Sequence, residues 1–110
     1  MKQYVIDELR YQDYEKIKVY FDETFGESAL KGIYWVPIDD EMLTREQVAH
    51  TTCRPFYFIL DLSPDRLCCE LLVRTKNRIR CACMAYADEA QRNWLITAID
   101  AVFEKLEIIT

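Results

Sequence analysis

The sequence contains very little glycine, with only Gly26 and Gly32 among 110 residues. Walker-type phosphate loops and the dinucleotide-binding fingerprint both depend on several glycines at short, fixed spacings. Two isolated glycines cannot supply either motif. Nucleotide binding by these two routes is therefore excluded.

Long apolar runs are also missing, since none approaches the roughly 20 residues that span a bilayer. The N-terminus reaches Asp7 and Glu8 before any apolar signal region could form, which argues against a secretory signal. We therefore expect a cytoplasmic protein without membrane contact. In that compartment the five cysteines are expected to remain reduced rather than form a disulfide framework.

Histidine occurs once, as His50, and no serine, cysteine or carboxylate accompanies it in a known catalytic pattern. A general base that works at neutral pH is most often histidine, and it needs a partner that orients it. We find no other catalytic constellation. The sequence therefore predicts a non-enzymatic protein that carries no cofactor.

The residues that are present describe a globular chain, because 51% are hydrophobic and 30% are charged. Its length predicts a single domain over residues 1–110. The net charge of −5 arises entirely from residues 1–50, which contain six basic and eleven acidic side chains, while residues 51–110 contain eight of each. An acidic chain of this kind is a poor general binder of nucleic acid or anionic membranes.

Hydrophobic periodicity predicts an α+β fold with the order β-α-β-α-β-β-β-α, in which a C-terminal antiparallel three-stranded meander precedes the last helix. We expect the helices to pack mainly on one sheet face. Capping boxes are indicated by Thr44 with Gln47 and by Asp88 with Gln91. The predicted strands are Gln3–Asp7, Gly32–Ile38, Pro55–Leu62, Leu67–Thr75 and Arg78–Ala87, and the predicted helices are Asp13 (or one to two residues earlier) to Gly26, Thr44 to before Arg54, and Asp88 to about Leu106.

The register of the first hairpin follows from its apolar residues. A "SPDR" loop pairs Leu62 with Leu67, Leu60 with Cys69, Phe58 with Leu71, and Phe56 with Val73. The second hairpin has two solutions. A two-residue turn would bury Arg80, whereas a three-residue turn at Lys76-Asn77-Arg78 leaves it outside, and we prefer the latter. Cys69 then lies opposite or near Cys83.

The cysteines suggest a metal or redox site as an alternative to a structural role. Cys69, Cys81 and Cys83 are the candidate ligands, with Cys53 or His50 as a fourth. Zinc sites usually use Cys-x2-Cys knuckles, whereas Cys68-Cys69 and Cys81-x-Cys83 fall within predicted strands. Buried thiols also behave as small apolar groups, and this structural reading is the one we favour.

Two exposed features remain as candidate binding surfaces. The basic tip, defined as Arg74, Lys76, Arg78 and Arg80, can contact phosphate or an acidic partner, although charges at hairpin ends also prevent strand-to-strand aggregation. The outer sheet face is too apolar for a fully solvated surface. Its candidate interface residues are Tyr57, Ile59, Leu72 and Met84.

Together these patterns favour a small cytoplasmic protein-interaction module that forms a homo-oligomer or binds another protein. A cysteine-based metal or redox protein is the first alternative. Anion or nucleic-acid contact through the basic tip is the second.

Overall fold

The computed structural model describes residues 1–26, 30–76 and 81–109. The α+β class is confirmed, and the order of strands and helices roughly matches the prediction. Single-turn 3-10 helices at Asp40–Met42 and Thr51–Cys53 flank the second α-helix. The elements are β1 (Gln3–Ile6), α1 (Tyr11–Phe25), β2 (Ile33–Pro37), α2 (Arg45–Ala49), β3 (Phe56–Ser63), β4 (Arg66–Glu70), β5 (Arg74–Thr75) and α3 (Glu89–Lys105).

The strands form one antiparallel sheet in the order β1-β4-β3-β2, and β5 pairs with β3 beyond the end of β4. Alternate residues of β3 are buried, as expected for a strand with one core face. Both long helices lie on that face, where the Phe21 ring of α1 contacts Tyr34 and the Trp94 ring of α3 stacks on Phe58. The prediction of helices mainly on one face is therefore confirmed.

The register of β3 against β4 is as predicted, with Leu60 opposite Cys69 and Leu62 opposite Leu67. The prediction is wrong further along, because Phe56 lies opposite Thr75 rather than Val73. The pairing is shifted by two residues relative to the prediction, because residues 71–73, between β4 and β5, pair with residues 85–87. In that segment the Leu71 carbonyl accepts from Ala87, and the Val73 amide donates to Ala85.

The strand predicted at Arg78–Ala87 does not form over its described residues. Cys81 begins a turn in which its carbonyl accepts from the Met84 amide at 3.0 Å, and Tyr86 makes an isolated bridge with Leu72. Residues 77–80, which contain most of the predicted three-residue turn, lie outside the described residues. The pairing of Cys69 with Cys83 is also wrong, since the cross-strand neighbours of Cys69 are Leu60 and Tyr4.

The first helix begins at Tyr11 with Arg10 as its N-cap, three residues before the predicted cap. Asp13 is therefore not the N-cap. It lies in the first turn, is 2% exposed, and accepts a hydrogen bond from Arg10 Nε at 2.9 Å.

Both predicted capping boxes are present, and they are joined to each other. Thr44 and Gln47 cap α2, and Asp88 and Gln91 cap α3. The side-chain nitrogen of Gln91, Nε2, donates to Gln47 Oε1 at 2.8 Å and to the Met42 carbonyl at 3.0 Å. Gln47 Nε2 in turn donates to the Cys83 carbonyl at 3.4 Å. Because both glutamines are buried, this network fixes α2 against α3 and against the turn that contains Cys83.

We expect Gln91→Glu to lower the free energy of unfolding by about 3 kcal/mol. The carboxyl keeps the capping acceptor but loses the buried donor, so the Met42 carbonyl loses its hydrogen bond from Gln91 and Gln47 Oε1 keeps only the one from the Thr44 backbone N–H. Gln12→Glu, on the exposed face of α1, is the matched control and should change stability by no more than about 0.5 kcal/mol. Chemical denaturation of both variants measures the difference, and equal midpoints would contradict the role of the network.

Candidate metal centre

The first pair of candidate ligands lies where α2 ends. His50 is the C-cap residue of α2, and the 3-10 turn that follows ends at Cys53. The Cys53 amide donates to the His50 carbonyl at 3.0 Å. A five-residue helix followed at once by a tight turn therefore brings two side chains, three positions apart, to the same place.

The second pair lies in the turn that replaces the predicted last strand. Cys81 and Cys83 are separated by the exposed Ala82, and Cys83 is 2% exposed. A thiol in a turn is free of the strict alternation that governs a strand. The assignment of Cys81 and Cys83 to a strand, with Cys69 as their neighbour, is therefore wrong.

The two pairs converge into one group of four ligands, His50, Cys53, Cys81 and Cys83, whose ligand atoms all lie within 4.8 Å of one another. Cys53 Sγ lies 3.7 Å from Cys81 Sγ, and His50 Nδ1 lies 3.1 Å from Cys81 Sγ. With zinc–sulfur bonds of about 2.3 Å, two sulfurs on a tetrahedron are about 3.8 Å apart. The sulfur separation of 3.7 Å therefore matches a zinc site closely, and we call this group the Cys3His cluster.

The backbone around the Cys3His cluster is held by buried polar side chains. Thr75 Oγ1 donates to the Cys53 carbonyl, and Gln47 Nε2 donates to the Cys83 carbonyl. Thr75 and Gln47 are 5% and 2% exposed. Contacts of this type orient metal ligands and reduce the cost of bringing them together.

The cluster is electrostatically asymmetric. The backbone N–H and then the side chain of Cys83 hydrogen-bond to the Cys81 sulfur, and this lowers the pKa of Cys81 to about 6, with smaller contributions from Cys53 and His50. Burial is the main reason that the pKa of Cys83 rises to about 12. One thiolate therefore forms readily, while the buried thiol needs a nearby cation before it can lose its proton.

The sequence brought only part of this cluster to attention. Cys81 and Cys83 were candidate ligands, and His50 and Cys53 were considered as a fourth. Cys69, the third candidate, lies in β4 between Tyr4 and Leu60 and is not part of the cluster. The His-x2-Cys and Cys-x-Cys spacings were the available signal.

The two residues of the basic tip that the structure describes, Arg74 and Lys76, both contact other side chains of the chain. Arg74 pairs with Glu70 at 3.2 Å, and the Lys76 ammonium lies 4.7 Å from the Tyr57 ring centroid and 5.1 Å from that of Trp35. Arg78 and Arg80 lie outside the described residues.

The candidate interface residues do not all share one surface. Tyr57 and Ile59 are half-buried on the sheet face away from the helices, beside Trp35 of β2. Leu72 is half-buried at its bridge with Tyr86. Met84 packs partly against the hydrophobic core.

No helix in the described parts of the chain is long and apolar enough to cross a membrane. Comparisons of the chain with protein-family models, with curated proteins and with solved structures find no match.

The difference in pKa between the Cys81 and Cys69 thiols predicts how the metal-free protein reacts with iodoacetamide. Only the thiolate is nucleophilic, so the alkylation rate of Cys81 should rise with pH through about 6 and then level off. Cys69, whose pKa burial raises to about 12, should remain unmodified in native protein at neutral pH and serves as the internal control. Peptide mass spectrometry follows both sites. Equal labelling of Cys81 and Cys69 would contradict the prediction.

Proposed function

We propose that this protein is a zinc-binding protein in which the Cys3His cluster holds a structural zinc ion. The single observation that carries the proposal is the convergence of four ligand atoms within 4.8 Å of one another. The cluster combines residues from two segments that are distant along the chain. Chance proximity of single cysteines in a core does not account for it, because the ligand set is also complete.

The chemistry of the ligand set favours zinc over other common metals. Thiolate ligands select soft or borderline metals and disfavour magnesium and calcium, which prefer oxygen. Three thiolates and one imidazole are one of the usual structural zinc ligand sets. Since all four positions of a tetrahedron are occupied by protein, no position is left for a substrate or an activated water. The proposed role is therefore structural.

Zinc at this position would join parts of the chain that have little regular structure of their own. α2 contains five residues, too few for an isolated helix to be stable in water. Residues 81–87 contribute an isolated bridge and a turn. Because a structural zinc site forms together with the fold, its binding free energy contributes directly to folding. The proposal also requires a reducing compartment, where the thiols stay free.

Elemental analysis of protein purified without chelator tests the proposal, and we expect about one zinc per chain for a single closed site. Cys53→Ser and Cys81→Ser should each reduce the zinc content strongly. Cys68→Ser, which changes a thiol on the outer sheet face, is the matched control and should retain it. Cys69→Ala should also retain zinc, and loss of zinc there would favour the ligand set of Cys69, Cys81 and Cys83 instead.

Removal of zinc should lower the melting temperature. A ligand present at 1,000 times its dissociation constant stabilises the folded state by about 4 kcal/mol, and each kcal/mol corresponds to roughly 4–8 °C in a domain of this size. Differential scanning calorimetry with and without chelator measures the change. A metal-free chain with the same melting temperature would refute the proposal.

Self-association through the outer sheet face is a second proposed function, and a separate observation favours it. Trp35, Tyr57, Ile59 and Cys68 are half-buried on that face, and Val5 is 43% exposed beside them. These side chains occupy adjacent strands around the exposed Asp61, and partly exposed apolar side chains grouped on one sheet face are of the type that marks a protein contact. The proposed partner is a second copy of the chain.

We expect the wild-type chain to associate reversibly at micromolar concentration and Ile59→Glu to remain monomeric, because a charge would be buried in the contact. Leu72→Glu tests whether the surface extends to the bridge with Tyr86. Val19→Glu, at a residue of α1 that is 56% exposed, is the matched control and should associate like the wild type. Sedimentation velocity distinguishes these results, and a strict monomer throughout would rule out self-association.

A further inference from the structure

Within the Cys3His cluster the sulfurs of Cys53 and Cys81 lie 3.7 Å apart, and this separation suits two different bonds. It is close to the edge of a zinc coordination tetrahedron. It also exceeds a disulfide bond by only about 1.7 Å, since a disulfide is about 2.05 Å long. The two sulfurs are therefore close enough to serve as a pair of metal ligands and are candidates for a direct bond.

The two thiols differ in their access to small oxidants. Cys81 is partly exposed, while Cys53 is 2% exposed. His50 Nδ1, 3.1 Å from Cys81 Sγ, provides a polar neighbour for charge on that sulfur. An accessible thiol beside a protected one is the arrangement typical of a redox-sensing cysteine with its resolving partner.

We propose that hydrogen peroxide releases zinc from this site by converting Cys53 and Cys81 into a disulfide. This inference rests on the proposed zinc-binding function and adds its regulation. The cluster would retain only Cys83 and His50 as ligands, and two ligands do not complete a structural zinc site.

The reaction balances with peroxide as the oxidant. With zinc bound, both cysteines would be thiolates. The Cys81 sulfur attacks one peroxide oxygen, so an S–O bond forms, the O–O bond breaks, and hydroxide leaves and takes up a proton from solvent as water. Cys53 Sγ then attacks the Cys81 sulfur, forming the S–S bond as the S–O bond breaks, and the second hydroxide takes up another solvent proton as water. Two thiolates, one peroxide and two protons thus give one disulfide and two waters, with two electrons passing from sulfur to oxygen.

Two other cysteine pairs are less suited to this reaction. Cys68 and Cys69 are neighbours in a strand, so their side chains point to opposite faces and lie outside the cluster. Cys83 belongs to the cluster, but a bond to Cys81 would span one residue inside the turn closed by the Met84 amide. Disulfide geometry is specific, and such a short link is strained.

The experiment treats zinc-loaded protein with increasing hydrogen peroxide while a chromogenic chelator reports free zinc. We expect one zinc to be released for each two thiols lost, together with a Cys53–Cys81 cross-linked peptide in non-reducing peptide mapping. Reduction with dithiothreitol and added zinc should restore the complex. Cys68→Ser should behave like the wild type in every measurement.

The variant Cys53→Ser provides a readout that does not depend on metal. After peroxide treatment its Cys81 should carry sulfenic or sulfinic acid without an internal disulfide. Bound zinc combined with a disulfide at another pair, or with no disulfide, would overturn the inference and leave the zinc proposal standing. A chain that binds no zinc would overturn the zinc proposal and, with it, the release reaction.

Discussion

The hydrogen bond between Gln47 and Gln91 is the interaction on which the arrangement of this molecule depends. Each glutamine already belongs to an N-terminal capping box, so one side chain satisfies its own helix and also contacts the other. Both are buried, where an unpaired amide would be costly. The network can therefore be satisfied in few arrangements, and α2, α3 and the Cys83 turn are fixed together as a consequence.

This constraint also explains why four ligands can meet without a strand or long helix to carry them. Gln47 lies one turn before His50 in α2 and also holds the Cys83 carbonyl. One side chain therefore relates the first ligand pair to the second. The Thr75 hydroxyl likewise holds the Cys53 carbonyl by a hydrogen bond. The ligands are positioned by hydrogen bonds to their backbone, which leaves the sulfur and imidazole atoms available for a metal.

Local patterns in the sequence were sufficient for the fold class, both capping boxes and the β3–β4 register, because each depends on residues near one another along the chain. The Thr44 and Asp88 caps are examples. The Cys3His cluster depends instead on residues 71–73, which follow β4 and pair with residues 85–87 rather than with β3. The local hydrophobic periodicity does not indicate this pairing. Treating Cys81 and Cys83 as strand residues assigned Cys69 to them as the third ligand and left only one of Cys53 and His50 as a fourth.

The position of the cluster along the chain has a consequence for the unfolded state. A link between Cys53 and Cys81 encloses β3, β4 and β5 in a single loop, and closing a loop of that length removes chain entropy worth about 3–4 kcal/mol in the chain-entropy description. That entropy depends on which residues are joined and hardly at all on the chemistry of the joint. A sulfur–sulfur bond persists when the chain unfolds and removes this entropy, whereas a zinc site forms only together with the fold. Oxidation would therefore keep the three strands enclosed in the unfolded chain after the metal has gone.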